Sequence, residues 1–161
     1  MLVRRATNGD FDHISALFYE VDEMHHQMRP DLFREPTGAV RSKEFIDSFL
    51  QEDDKCIFVA TVDLDILGMI VLVQRPPTRN PLLVERRIVD VDTLIVRVED
   101  RGKGVGKSLI KTAIDWAEAR GATHVDSSVF AFNRIASASF AKFGFAQMFC
   151  RFSLDLTQVG D

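Results

Sequence analysis

Apolar residues recur every three or four positions in several stretches of the chain, which is the spacing of one face of an α-helix. The longest stretch predicts a helix over 11–28, with an apolar face made of Ile14, Leu17, Phe18, Val21 and Met24. A second long helix is predicted from Val105 to just before Gly121, because glycine commonly follows the last turn of a helix. Shorter helices are expected at about 42–52 and 134–143. The pattern therefore predicts four helices.

The stretches between these helices are short and rich in β-branched and aromatic residues, as strands are. They predict strands at 2–6, 56–62, 66–74, 84–98, 123–130 and 147–156. The strand at 123–130 is expected to be buried. Asp63 to Asp65 separate two of these strands and predict a hairpin turn. Pro76 and Pro77 interrupt the pattern, and the arginine-rich hairpin at 75–87 is expected to be exposed to solvent.

The composition is that of a globular protein, with 161 residues of which 46% are apolar and 27% charged. It predicts a single domain over 1–161 with an apolar core. The formal charge of −4 argues against nucleic-acid binding and favours a cationic ligand such as an amine. The longest apolar run, 66–73, is too short to cross a membrane, and the first residues lack the apolar core of a signal peptide. We therefore expect a cytoplasmic protein with no membrane partner.

The cysteines and histidines offer little thiol or metal chemistry. Cys56 and Cys150 lie in apolar, strand-like sequence and are expected to be reduced core thiols. His25 and His26 are adjacent on a predicted helix and therefore point about 100° apart. The other two histidines are remote in sequence, so no metal site is predicted.

Glycines 102, 104 and 106 lie between a predicted strand and a predicted helix. Glycine adopts positive φ without strain and lets a ligand approach the backbone closely. The helix that follows presents unpaired N–H groups and the positive end of its dipole. Arg101 and Lys107 add positive charge. The segment therefore predicts a phosphate-binding site built mainly from the backbone.

Two common phosphate-binding patterns do not match this segment. The dinucleotide fingerprint Gly-x-Gly-x-x-Gly needs one residue more than Gly102-x-Gly104-x-Gly106 provides. The P-loop pattern Gly-x-x-x-x-Gly-Lys-Ser fits at 106–108 but places its first glycine at Arg101. The partial match leaves a P-loop-like nucleotide binder as one alternative function.

The pattern Arg-x-x-Gly-x-Gly does occur, from Arg101 to Gly106, and it resembles the acetyl-CoA signature of the GNAT (GCN5-related N-acetyltransferase) superfamily. The segment 133–145 is similar to the family's late Asn-x-x-Ala…Gly-Phe block. The segment 88–96 resembles its central strand with acidic residues, and 3–7 resembles its first strand. On these segments the chain is identified as a bacterial-type, single-domain member of the superfamily.

The resemblance implies both a fold and a reaction. The fold is α/β (α+β), with a central, mixed, mostly antiparallel sheet of six to seven strands, about four flanking helices, and splayed fourth and fifth strands. The reaction moves an acetyl group from acetyl-CoA, the cosubstrate, to a primary amine of a small molecule or protein by direct attack on the thioester. Dimerisation is common in the family, so a homodimer is compatible with the resemblance.

This reaction needs a carboxylate to take a proton from the acceptor ammonium, whose pKa lies near 10. Asp90 and Asp92 are the candidates, with a slight preference for Asp90. They lie two apart on one strand, so they are expected to face the same side. They also lie shortly before Arg101, where family members often place the base. The alternative is that either aspartate ends the strand in solvent or pairs with Arg86 or Arg87.

The remaining implied site residues bind the cofactor. Backbone groups from Leu94 to Val98 are expected to pair with the pantetheine arm as an added strand and to face the thioester oxygen. Asn133 is explained equally well as a helix N-cap. The full set is Leu94, Ile95, Val96, Val98, Arg101, Gly102, Lys103, Gly104, Val105, Gly106, Lys107, Ser108, Asn133 and Phe140.

Phe140 departs from the family pattern. Many members carry a tyrosine there, whose hydroxyl is placed to protonate the departing thiolate. Phenylalanine cannot donate a proton, so this step must depend on another group or on water. The departure leaves a second alternative function, a catalytically idle or slow acyl-CoA-binding sensor or regulatory module.

Overall fold

The computed structural model describes residues 1–38, 41–77 and 80–157. Within these ranges the helices are α1 (Phe11–Met28), α2 (Lys43–Gln51), α3 (Val105–Ala119) and α4 (Arg134–Lys142). The strands are β1 (Leu2–Arg5), β2 (Lys55–Val62), β3 (Asp65–Gln74), β4 (Ile88–Val96) and β5 (His124–Ser127). Single turns of 3-10 helix, at Asn8–Asp10 and Val98–Asp100, precede α1 and follow β4.

The strands form one sheet in the order β1-β2-β3-β4-β5. The first three pairings are antiparallel and the last, β4 with β5, is parallel. The mixed, mostly antiparallel sheet and the four helices are as predicted. The strand count in the described residues is five rather than six or seven.

The parallel pairing of β4 with β5 is short. It runs from Ile88↔His124 to Val91↔Ser127, whereas β4 continues to Val96. Beyond Val91, β4 is paired in the described residues only with β3. The second half of β4 therefore has one edge without a strand partner among the described residues.

The sheet is covered on both faces. Apolar residues of α1 and α2 pack on one face in a cluster with Ile57, Val59, Met69, Val71 and Ile95. Successive strand residues alternate between faces, so Ile70 and Leu72 point to the other side, where α3 packs on β3 and β4. β3 is buried at nearly every position because it lies at the centre of the sheet between two helical layers.

The strand predicted at 147–156 is wrong. Most of this segment is exposed, including Phe149 at 75% and Phe152 at 92%, and it pairs with no strand among the described residues. Alternating apolar and polar residues define which face of a strand is buried. A strand also needs an adjacent strand to form hydrogen bonds with its backbone N–H and C=O groups. The predicted buried strand at 123–130 is only the half-buried β5, because β5 lies at the edge of the sheet.

The two cysteines are free thiols in different surroundings. Cys56 is fully buried in β2, as predicted, and burial raises its pKa to about 12. Cys150 is exposed, against the prediction, because its segment does not form the predicted strand. The buried thiol therefore stays protonated and unreactive at neutral pH.

Contacts along the chain separate it into two compact units, Met1–Ser128 and Val129–Asp161. The first contains the sheet and α1 to α3, and the second contains α4. No helix in the described parts of the chain is both long and apolar enough to cross a bilayer.

A buried carboxylate ties the first strand to the first helix. Asp10 is 7% exposed and receives two hydrogen bonds from Arg4, at 2.7 and 2.8 Å. The backbone N–H and the hydroxyl of Thr7 donate to the same carboxylate, at 2.8 and 2.9 Å. The Arg4 guanidinium, aided by Thr7, holds the pKa of Asp10 well below its usual range. This network fixes the angle at which the chain enters α1.

We predict that Asp10→Asn lowers the free energy of unfolding by about 1.5–3 kcal/mol at neutral pH, the usual contribution of hydrogen bonds to a charged group. A carboxylate with a lowered folded-state pKa stabilises above its unfolded pKa, near 4, and loses that effect as the pH falls. The deficit of the variant should therefore shrink below about pH 4. Urea unfolding across pH checks this. Asp12→Asn removes an exposed charge from the same helix and should show no comparable pH dependence.

Candidate active site at the end of strand β4

Strand β4 contains a β-bulge at Asp92. Val91 pairs with Leu72 and Thr93 pairs with Val71, so two consecutive residues of β3 face three of β4. Strict alternation therefore does not hold across Asp92. The expectation that Asp90 and Asp92 share a face by simple period-two spacing loses its basis here.

The bulge nevertheless brings both aspartates to one cavity. This open cavity of about 150 Å³ is lined by Arg75, Asp90, Val91, Asp92 and Ser128. A second cavity of about 190 Å³ lies between the C-terminal half of α3 and β5, and its lining includes Glu118 and His124 but none of the predicted site residues. The cavity at the bulge is therefore the one that contains the two candidate bases.

The two carboxylates differ in accessibility. Asp90 is ion-paired through Oδ2 with Nε of Arg75, not with Arg86 or Arg87. Its Oδ1 is buried and has no hydrogen-bond partner in the described residues. Asp92 is exposed, and its Oδ2 accepts a hydrogen bond of 3.0 Å from the Thr93 hydroxyl. Asp92 therefore offers the more accessible oxygens to a ligand.

Sequence reasoning missed Arg75. The segment 75–87 was expected to be a solvated loop, yet both of its ends contact acidic residues of the sheet. Arg75 reaches Asp90, and Arg86 reaches Asp126 at 3.3 Å. The pairing of β4 with β5 places those two aspartates side by side, which no local pattern could indicate.

The second half of β4 leads from the bulge to the glycine loop. Leu94 and Val96 are partly exposed, and Ile95 is in the core. The carbonyl of Val96 accepts a hydrogen bond of 3.1 Å from Nε of Arg101. Val98 does not extend the strand but starts a 3-10 turn and is 63% exposed. The open edge of β4 therefore ends at Val96, short of the predicted limit.

Asp100 organises the glycine loop. It is 6% exposed, and its carboxylate binds Nζ of Lys103 at 2.9 Å and Nη2 of Arg97 at 2.7 Å. These two cations lower the pKa of Asp100. Because the three side chains come from one turn, their ion pairs hold the loop in a fixed shape ahead of α3.

Two of the three glycines have conformations that other residues rarely adopt. Gly102 has φ 78° and Gly104 has φ 85°, and Gly104 is the N-cap of α3. A Cβ at either position would point into open space, so the requirement for glycine is conformational. Gly106 is an ordinary helical residue, against the expectation of positive φ. A Cβ there would contact Cγ2 of Val96 at 3.7 Å.

The N-terminus of α3 has the character of an anion site. Its N-cap has no side chain to occupy the first-turn N–H groups, and the first turn holds no acidic residue. Lys107 lies in that turn, where a cation opposes the helix dipole. Val105 is buried in the core, and the N–H of Ser108 is already bonded to the Gly104 carbonyl at 3.1 Å. The amides before Ser108 remain for a ligand.

The positive charges around this loop are held to different degrees. Lys103 is paired with Asp100, whereas Arg101 lies 3.8 Å from Glu20 of α1 and is 43% exposed. The structure gives Lys107 no ion pair among the residues it describes. An anion bound at the loop would therefore meet at least one uncompensated cation.

The two remaining predicted site residues belong to the second unit. Asn133 is the N-cap of α4, and its side-chain oxygen accepts a hydrogen bond of 3.0 Å from the Ala136 N–H. Phe140 is 7% exposed and packs edge-on against Phe145, with ring centroids 5.0 Å apart. Capping accounts for Asn133, and aromatic packing accounts for Phe140. Any contact of either residue with a cofactor stays a prediction.

We predict that Gly104→Ala and Gly121→Ala both lower the free energy of unfolding by about 1–2 kcal/mol, the usual cost of a left-handed conformation for a residue with a Cβ. Gly121 has φ 67° and follows the other end of α3, so it is a matched control. Gly104→Ala alone should also weaken CoA binding. Thermal unfolding with and without CoA measures both effects, and equal protection of the two variants would contradict the site.

Comparison with known proteins identifies the family of the chain. Residues 20–145 match the sequence profile of the acetyltransferase (GNAT) family. The chain is 30% identical to rat N-acetyltransferase family 8 member 3 over 78 residues, which cover 48% of this chain and 32% of that protein. The chain thus aligns with only about a third of that relative.

Two solved structures show the same fold. A mutant of the BH1408 protein from Bacillus halodurans has a TM-score of 0.91 at 23% identity, covering 97% of this chain and 99% of its own. The aminoglycoside N-acetyltransferase AAC(6')-Iy in complex with CoA has a TM-score of 0.69 at 18% identity, covering 95% and 100%. The profile spans most of the sequence, and the fold agrees with it. The chain belongs to the GNAT acetyltransferase family.

Proposed function

We propose that the protein transfers an acetyl group from acetyl-CoA to a primary amine of a small molecule or protein. Family membership supports acyl transfer in general, and the solved relative in complex with CoA supports a CoA-type cosubstrate. The cytoplasmic location expected from the sequence belongs to this proposal, as does the absence of nucleic-acid binding.

The observation that carries the proposal is the junction of β4 with α3. An open strand edge, two left-handed glycines and an uncapped helix N-terminus follow one another between Asp92 and Lys107. The loop suits a pyrophosphate because the backbone at Gly102 and Gly104 borders open space next to the N-terminus of α3. The unpaired edge at Leu94 to Val96 fits an extended amide-containing arm.

Acetyl-CoA supplies the activated acetyl group as a thioester. The residues of this chain hold it and prepare the amine. The first-turn amides of α3, together with Arg101 and Lys107, bind phosphate oxygens. Backbone N–H groups on the open edge of β4 orient the arm and stabilise negative charge on the thioester oxygen.

Asp92 is the proposed general base. An ammonium ion is not nucleophilic, so its proton must move to a carboxylate before the nitrogen can form a bond to the acetyl carbon. Asp92 is the exposed carboxylate of the cavity, whereas Asp90 has one oxygen on Arg75 and the other buried. This reverses the slight preference for Asp90 that the sequence suggested. As the new N–C bond forms the C–S bond breaks, and the proton that the nitrogen then loses reaches the departing sulfur through water.

A catalytically idle or slow acyl-CoA sensor is the second candidate function. Phe140 favours it, because the side chain has no hydroxyl with which to protonate the thiolate. The two functions differ in one observable. The sensor binds acetyl-CoA but releases no free thiol when amines are added.

We predict that Asp92→Asn lowers kcat for acetyl transfer by about 10²–10⁴, the usual contribution of a general base, and leaves the affinity for acetyl-CoA unchanged. Release of free CoA thiol, followed with a panel of primary amines, measures the rate. Asp65→Asn removes an exposed carboxylate at the start of β3 and should not change it. Full activity of Asp92→Asn at neutral pH would remove the base assignment.

A further inference from the structure

The proposed reaction uses a carboxylate and the cofactor loop, but it leaves Arg75 without a role. This arginine lines the same cavity as Asp90 and Asp92, and its side chain is 49% exposed. A guanidinium beside the proposed base affects which amine substrates can bind in the cavity. Its placement therefore bears on the substrate.

Arg75 is held at two points. Its backbone N–H donates to the Ile88 carbonyl at 2.9 Å, which closes the base of the loop between β3 and β4. Its side chain donates from Nε to Asp90. An arginine bound through Nε keeps the fork of its two Nη groups for a second partner. Among the described residues the structure gives the two Nη groups of Arg75 no hydrogen bond.

Arg86, at the other end of the same loop, provides the contrast. It contacts Asp126, which lies beside Asp90 across β4 and β5. Its side chain is only 24% exposed, and it does not line the cavity. Of these two arginines, Arg75 is the one that lines the cavity of the proposed base.

The cavity thus combines a guanidinium fork with an accessible carboxylate. The planar fork of arginine matches a carboxylate through two parallel hydrogen bonds, and Asp92 complements an ammonium. Both groups line one open cavity of about 150 Å³. A molecule that contacts both therefore has its two charged groups close together.

We propose that the acceptor is a small primary amine that also carries a carboxylate, as amino acids do, and that Arg75 binds this carboxylate. Asp90 is then a positioning residue that orients the guanidinium, and Asp92 takes the proton from the amine. This inference rests on the proposed acetyl transfer and adds the chemical class of its acceptor.

The test is a cycle of two changes, Arg75→Gln in the protein and carboxylate to carboxamide in the substrate. Each of several amino acids is compared with its own amide, because the cycle cancels their different amine basicities. We expect Arg75→Gln to lower kcat/KM about tenfold or more for the acids, mainly through KM, as loss of a charge-assisted hydrogen bond does. The amides should lose less than about threefold by the same reasoning.

Three further variants separate recognition from loss of structure. Arg86→Gln breaks the neighbouring ion pair and should affect acids and amides equally. Arg75→Lys keeps the charge without the fork and should recover part of the preference. Asp90→Asn should raise KM for the acids and leave intact the limb of the pH profile that depends on Asp92.

Equal losses for acids and amides in Arg75→Gln, or a wild-type protein that acetylates only amines without a carboxylate, would overturn the inference and leave acetyl transfer standing. Binding of the amino acid to the protein with CoA, followed by calorimetry, is read independently of turnover. Binding of the acid that disappears in Arg75→Gln supports the inference. Binding that the variant retains contradicts it. Failure of acetyl-CoA to bind the wild type would instead remove the proposed function.

Discussion

The functional architecture depends on how far β4 is paired. As far as Val91 it lies between β3 and β5 in the middle of the sheet, and after that point it keeps only β3. The bulge at Asp92 falls where the pairing changes. One strand thus contributes Ile95 to the core, an accessible carboxylate to the cavity, and an open edge that runs into the glycine loop.

Electrostatic compensation decides which charged groups are available for chemistry. Asp100 takes up the charges of Arg97 and Lys103 and so shapes the loop. Asp90 is occupied by Arg75. Two groups of opposite charge remain available to ligands. They are Lys107 at the uncapped start of α3 and Asp92 at the bulge. In the proposed reaction these two groups serve a polyphosphate and an amine separately.

Local signals predicted most of the fold. The apolar stripe at 11–28 gave the bounds of α1, and the hairpin at Asp63 joins β2 and β3 as expected, with φ 52° at that residue. The turn before α3 was predicted because positive φ leaves a signal in the residue type, here Gly102 and Gly104. The segment 147–156 failed because a strand requires a partner that its own sequence does not specify.

The site was predicted less completely for the same reason. The sequence predicted Asp90 and Asp92 as candidate bases, but not the division of the proposed roles between them. It depends on the bulge, which is a matter of register between strands, and on Arg75, which lies in a loop that looked solvated. Contacts between residues distant in sequence leave no periodic signal. Side-chain roles therefore required the structure.

The central claim is that the junction of β4 and α3 binds an acyl-CoA. Calorimetric titration of the purified protein with acetyl-CoA, with CoA and Mg-ATP as comparisons, tests it most directly. The account predicts that acetyl-CoA and CoA bind without a metal ion and that Mg-ATP does not bind. Magnesium-dependent ATP binding that disappears in Lys107→Ala, with no binding of acetyl-CoA, would contradict it and indicate a nucleotide-binding loop.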